Sequence, residues 1–284
     1  MLSLFTDAFD PSFMQRALVG SLLAVVATSL IGTWVVLRGL AFLGDALSHG
    51  VIPGIALAVL WGFSPIVGAL AAAALMSGLV TVVSSRTRLR EDTGIGLLFV
   101  GMLSLGIVIV SRARSFATEV TSLLFGDVLG VTRDDINGQL ISTGIVVVLT
   151  IVFFRPFMAL TFNREKAATL GMRPALAHGV MLILLAVSIV ASFQAVGTLL
   201  VFGLLVGPPA TASLITRRVP VMMVVSIAFG ALAVVVGLMI SFHWSTAGGA
   251  TMAGLCVAQF FVVFAITEIV SAVRSRRTAA PALA

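Results

Sequence analysis

The chain has 284 residues, 60% of them apolar and only 10% charged, with a mean hydropathy of +1.19. A water-soluble domain carries about 25% charged residues, so too few charges are left here to cover a soluble core. The single cysteine, Cys256, excludes a disulfide scaffold, and the wealth of Val, Leu and Ile excludes disorder. The composition is that of an integral membrane protein.

The net charge of +6 raises nucleic-acid binding as a possibility to weigh. Of the 17 basic residues only Lys166 is a lysine, and the arginines fall in short clusters between apolar stretches. That placement suits topology determinants and lipid headgroups, not a phosphate-binding surface, so no nucleic-acid partner is expected. Asp7 and Asp10 stand where a signal peptide carries basic residues, which argues against a cleaved leader.

Apolar stretches of about 20 residues are long enough to cross the ~30 Å of bilayer hydrocarbon. Nine are read in chain order: 13–37, 41–62, 64–84, 92–111, 137–156, 175–193, 197–216, 219–242 and 246–272. Eight is the alternative, should one be re-entrant. The expected fold is therefore an all-α polytopic bundle, a single transmembrane domain over 1–277 with a disordered tail at 278–284. An odd span count with the C-terminus inside puts 13 basic residues on the cytoplasmic side and four (Arg16, Arg112, Arg114, Arg133) outside. By the positive-inside rule the N-terminus lies outside and the C-terminus in the cytoplasm.

Two connections are longer than turns. Segment 112–136 lies outside, and Thr132 followed three residues later by Asp135 is a helix-start signal ahead of the fifth span. Segment 157–174 lies inside; Asn163 can cap a short helix that Gly171 ends and Pro174 separates from the next span. Such a helix presents a knob to a soluble partner, while the plain alternative is a polar loop.

The second span is the most informative, reading Gly44-Asp45-Ala46-Leu47-Ser48-His49-Gly50-Val51-Ile52-Pro53-Gly54. Asp45 and His49, four residues apart, share one helix face, with Ser48 beside them. Ionisable groups at bilayer depth are costly and usually mark a pathway. On an unbroken helix counted from Arg38, His49 would stand ~16 Å deep, near the midplane. Pro53 lacks the N–H that would bond the His49 carbonyl, so Pro53 and Gly54 are expected to break the helix there. Carboxylate, imidazole and carbonyl oxygen together suit a divalent cation such as Mn²⁺ or Zn²⁺. A proton relay and a plain helix–helix hydrogen bond are the competing uses of the same pair.

Elsewhere the candidates are weaker. His178 and His243 read as interfacial residues, Cys256 as a packing residue, Gln194 and Gln259 as helix–helix donors, and Glu268 as a snorkelling group. Pro208 and Pro209 are expected to interrupt the seventh span and leave the carbonyls of Leu204 and Leu205 without donors, as a gate or as a static kink. No Walker-type Gly-x-x-x-x-Gly-Lys-Ser/Thr motif is present, so any ATP hydrolysis belongs to another polypeptide and this chain is not expected to be an enzyme.

The Gly44–Gly54 string resembles a motif of the zinc- and manganese-type metal ABC importer permeases. So do Leu124-Phe125-Gly126-Asp127-Val128-Leu129, Ala167-Ala168-Thr169-Leu170-Gly171, and Val196–Val201 with Pro208-Pro209-Ala210-Thr211-Ala212. The likeness runs in order over about residues 13–270. It implies a homodimer in a bacterial plasma membrane, with two cytoplasmic ABC ATPase subunits and an extracytoplasmic solute-binding protein that delivers the metal. By the family pattern Asp45 and His49 line the translocation path, and Glu165, Ala168 and Gly171 mark the helix that couples to the ATPase. Arg112, Arg114 and Arg133 are inferred to form a basic rim for the binding protein. The stretch Ser241–Gly249 departs from the family, which puts a third metal ligand from that end in doubt. A proton- or cation-coupled secondary transporter and a non-transporting membrane scaffold are the rival readings.

Overall fold

Hydrocarbon offers backbone amides no partner but one another, so apolar stretches of this length fold as helices. The computed structural model describes residues 9–86, 91–111, 130–162 and 173–279, and every regular element among them is an α-helix. In chain order these are α1 (Ser12–Leu37), α2 (Ala41–Gly50), α3 (Ile52–Trp61), α4 (Pro65–Arg86), α5 (Glu91–Val110) and α6 (Arg133–Val152). Then come α7 (Phe154–Phe162), α8 (Pro174–Val196), α9 (Thr198–Ile215), α10 (Val219–Trp244) and α11 (Gly248–Ala279).

Among the described residues, eight spans are long and apolar enough to cross a membrane, with Ala41–Trp61 counted as one although it is built from α2 and α3. The ninth expected span, 197–216, is the shorter helix α9 of 18 residues. Three expected boundaries move by four residues or more. Helix α6 starts at Arg133 rather than 137, because Thr132 and Asp135 form a reciprocal capping box, so the last residues of the expected outer loop are helical. The same span ends at Val152 instead of 156, and residues 157–162 of the expected inner segment belong to α7. There Phe157 is fully buried and meets Trp34 of α1 edge-on at 5.7 Å, with Phe154 at 5.4 Å. At the far end α11 runs to Ala279, into the segment expected to be a disordered tail; residues 280–284 lie outside the described part.

Helix α1 is the hub of the bundle. Two thirds of its span (67%) is buried, against 6% for α11, which lies along the outside. Helices meet in lipid through small residues that let backbones approach. A Cβ added to Gly203 or Gly207 of α9 would press on Ala253 or Cys256 of α11, and Gly54 of α3 and Gly68 of α4 face one another so closely that either Cβ would overlap the other's carbonyl. Buried hydroxyls turn back on their own helices, as Thr28 does to the carbonyl of Ala24 and Thr211 to that of Gly207. Between α8 and α9 the chain passes through Gly197 alone, at φ 78° and ψ 161°, a conformation open essentially only to glycine.

The expected break at Pro208 and Pro209 does not occur: α9 is continuous through both, and both are buried. Neither proline can donate to Leu204 or Leu205. The Leu205 carbonyl instead lies directly against Gly32 of α1, where no side chain intervenes, in the manner of the weak Cα–H···O contacts common where helices cross closely. The feature is a packed crossing rather than an interruption.

Candidate functional site

The span that breaks is the one carrying the ionisable pair. Helix α2 ends at Gly50, Val51 forms the turn, and Pro53 takes the second position of α3, where its missing N–H is not needed. Because α1 ends before Arg38 and α2 begins only at Ala41, His49 stands ~12 Å along the new helix rather than ~16 Å from Arg38. The His49 carbonyl, expected to be freed, accepts the N–H of Val51 through the turn. Gly54 sits inside α3 at the contact with Gly68 and does not break it.

Helix α2 has two unlike faces. Inward, Leu43, Leu47 and Gly50 are buried; Gly44 abuts the side chain of Leu205 and Gly50 that of Met76. Outward stand Phe42, Asp45 and His49, 40%, 31% and 27% exposed. His49 Nε2 lies 3.7 Å from Asp45 Oδ1. That is too long for a hydrogen bond, yet short enough for both atoms to touch one ion at metal–ligand distances of ~2.0–2.2 Å. Ser48, expected beside them, is on the other face: it is buried, and its hydroxyl donates to the Gly44 carbonyl 2.9 Å away.

Phe99 of α5 completes the face and was not legible in the sequence. Its ring meets His49 edge-on at 5.9 Å and Phe42 at 6.0 Å, an arrangement that restrains the imidazole plane. As one of 19 phenylalanines it carries no signal of its own, and only the packing of α5 on α2 singles it out. Among the described residues no three His, Cys, Asp or Glu side chains gather into a metal-holding group, so these residues offer two strong ligands here.

The remaining candidates are placed as follows. His178, expected at the interface, is buried, and its Nδ1 lies 3.0 Å from Arg38 Nη1, tying α8 to the end of α1. His243 is exposed, with Nδ1 2.9 Å from the Met239 carbonyl, and Trp244 beside it is 73% exposed. Arg133 opens α6 and is exposed. Arg112 and Arg114, and likewise Glu165, Ala168 and Gly171, lie outside the described residues.

Comparison with known proteins decides the family. The model of the ABC 3 transport family matches residues 10–267. The chain belongs to the ABC 3 transport family. It is 34% identical over 260 residues to the manganese transport system membrane protein MntC of Halalkalibacterium halodurans, covering 92% of this chain and 89% of that one. It is 33% identical to the chelated iron transport system membrane protein YfeD of Yersinia pestis, over 98% of this chain and 93% of that one. Among solved structures it is similar to PsaBC from Streptococcus pneumoniae in complex with Fab, with a TM-score of 0.84, 30% identity, and coverage of 93% of this chain and 95% of that one. This member of the ABC 3 transport family is thus a multi-pass bacterial membrane permease of a metal ABC transporter, and its relatives are transport membrane proteins rather than enzymes.

Proposed function

We propose that this permease carries a divalent transition-metal ion into the cytoplasm, manganese or iron foremost, with zinc within reach of the same ligands. The relatives named for manganese and for iron support the first part. Its chemical basis is one observation: a carboxylate and an imidazole 3.7 Å apart on the partly exposed face of a helix that ends in mid-span. Aspartate and histidine together bind first-row divalent ions without strong preference, so supply and delivery select among them. Two strong ligands from one chain hold an ion loosely enough to release it, and tight binding would stop transit.

In this reading the chain pairs with a second copy, and the two Phe42/Asp45/His49 faces line one path between them. Glu165, Ala168 and Gly171 engage cytoplasmic ATPase subunits, and Arg112, Arg114 and Arg133 face an extracytoplasmic binding protein. ATP binding on the partner moves the two permeases as rigid bodies, exposing the path to one side and then the other. The ion passes from ligand to ligand along α2, and no covalent bond is made or broken on this chain.

The test is metal uptake by proteoliposomes holding the permease, its ATPase and its binding protein, offered manganese, iron and zinc in turn. Asp45→Ala and His49→Ala are each expected to bring ATP-dependent uptake to background while the complex still assembles. Wild-type uptake in either variant, or uptake that needs a proton gradient and no ATPase, would overturn the proposal.

A further inference from the structure

The end of α1 that carries Arg38 is held from two sides. From α7, the fully buried Phe157 sets its ring edge-on to Trp34 at 5.7 Å, and Phe153 stacks on Phe157 at 5.9 Å. From α8, His178 Nδ1 lies 3.0 Å from Arg38 Nη1, and the buried Met181 brings its sulfur to 3.4 Å from the same nitrogen. A guanidinium only donates, so His178 accepts at Nδ1 and carries its proton on Nε2. The aromatic contact can slide, whereas the hydrogen bond fixes a direction. Helices α7 and α8 also flank, in the sequence, the residues proposed to engage the ATPase, Glu165, Ala168 and Gly171.

Beyond Arg38 the chain turns into α2 through a corner without slack. Gly39 stands at φ 69°, its N–H bonds the Val36 carbonyl at 3.0 Å, and the Leu40 N–H bonds that of Val35 at 2.9 Å. Together these close α1 as a Schellman motif, whose apolar pair, Val35 and Leu40, is buried. The Leu40 carbonyl then accepts the N–H groups of Leu43 and Gly44, at 3.0 and 3.4 Å, and opens α2. One residue thus donates the closing bond of α1 and accepts the opening bonds of α2. Asp45 follows on the next turn and His49 on the turn after it. Close-packed contacts pass a displacement on instead of absorbing it, so whatever shifts the last turn of α1 shifts the Asp45–His49 pair.

We propose, resting on the transport reading above, that Arg38 and His178 are positioning residues whose contact makes α2 move with α8. A displacement of α7 and α8 by the ATPase then reaches Asp45 and His49. Neither Arg38 nor His178 touches the ion. Without the His178 acceptor, α1 and α2 lag when α8 moves, and nucleotide is hydrolysed without transfer of metal. Loosening the corner has the same consequence by a separate route. Gly39 gives access to that route, because a Cβ there meets no atom within 4 Å and is opposed only by the left-handed backbone.

The deciding quantity is manganese imported per ATP hydrolysed, measured in proteoliposomes holding the permease, its ATPase and its binding protein. His178→Leu is expected to lower that ratio about tenfold while hydrolysis stays within about twofold of wild type. His178→Asn returns an acceptor oxygen close to the place of Nδ1 and is expected to restore the ratio. Gly39→Val is expected to lower it as His178→Leu does. A role in folding alone would reduce import and hydrolysis together at constant ratio, and that result overturns the proposal. So does an equal loss in His178→Leu and His178→Asn, or a wild-type ratio in His178→Leu. Should His178→Leu fail to assemble, a wild-type ratio in Gly39→Val overturns it instead. Uptake by the wild-type complex without ATP would overturn the transport reading itself, and the positioning role with it.

Discussion

Prolines stand inside two spans that touch one another, at Pro53 and at Pro208–Pro209, and the chain answers them in opposite ways. At Pro53 the span divides into α2 and α3 with Val51 between; at Pro208 and Pro209 helix α9 continues without a break. What differs is the surroundings. Helix α9 is packed by α1, α10 and α11, and the carbonyl that Pro209 deprives of a donor is received against Gly32. Helix α2 packs most closely on α5 and leaves Phe42, Asp45 and His49 partly exposed. Leu205 links the two regions, its carbonyl on Gly32 and its side chain on Gly44. A proline in a membrane helix therefore removes one hydrogen bond, and the neighbours decide whether the helix yields.

The comparison can be broken most severely at Gly32. Gly32→Leu forces a side chain into the Leu205 carbonyl, and overpacking of this kind costs about 1–3 kcal/mol. Loss of monodisperse protein and a lower melting temperature are expected, and unchanged melting would show that the crossing does not hold α9. Next in size is Pro53→Ala, which restores an N–H able to bond the His49 carbonyl and so to fuse α2 with α3. Uptake is expected to fall about tenfold, equivalent to about 1.4 kcal/mol, whereas wild-type uptake would detach the break from transport.

Phe99→Ala should act more mildly, by about 0.5–1.5 kcal/mol, through loss of the edge contact that restrains the His49 ring. The decline should be steepest at low metal concentration; an unaltered concentration dependence would leave Phe99 a packing residue only. The smallest effect is expected from Pro208→Ala with Pro209→Ala. Both positions regain a donor in a helix that is already continuous through them, so uptake should stay within about twofold of wild type. A larger loss would restore the gate first read from that string.

Much of the fold was legible in the sequence because bilayer thickness fixes the length of a span and hydrocarbon enforces the helix. Thr132 and Asp135 announced the start of α6, since a capping box is a contact between residues three apart and needs nothing from the rest of the chain. Asp45 and His49 were legible for the same reason, as two ionisable groups one helical turn apart. Ser48 was misplaced because adjacency in sequence does not say which face of α2 the bundle covers. His178 was read as interfacial because its partner Arg38 is distant in the chain.

The amino-acid sequence by itself settled membrane residence and the pair of polar side chains that share a turn. Those depend on composition and on spacings within a single helix. Only the tertiary structure decided that α9 runs through its prolines, that Ser48 turns to the core, and that Phe99 closes on His49. Each of these depends on which helix lies alongside, and in lipid that choice is made by close packing between surfaces equally apolar, which hydropathy does not distinguish.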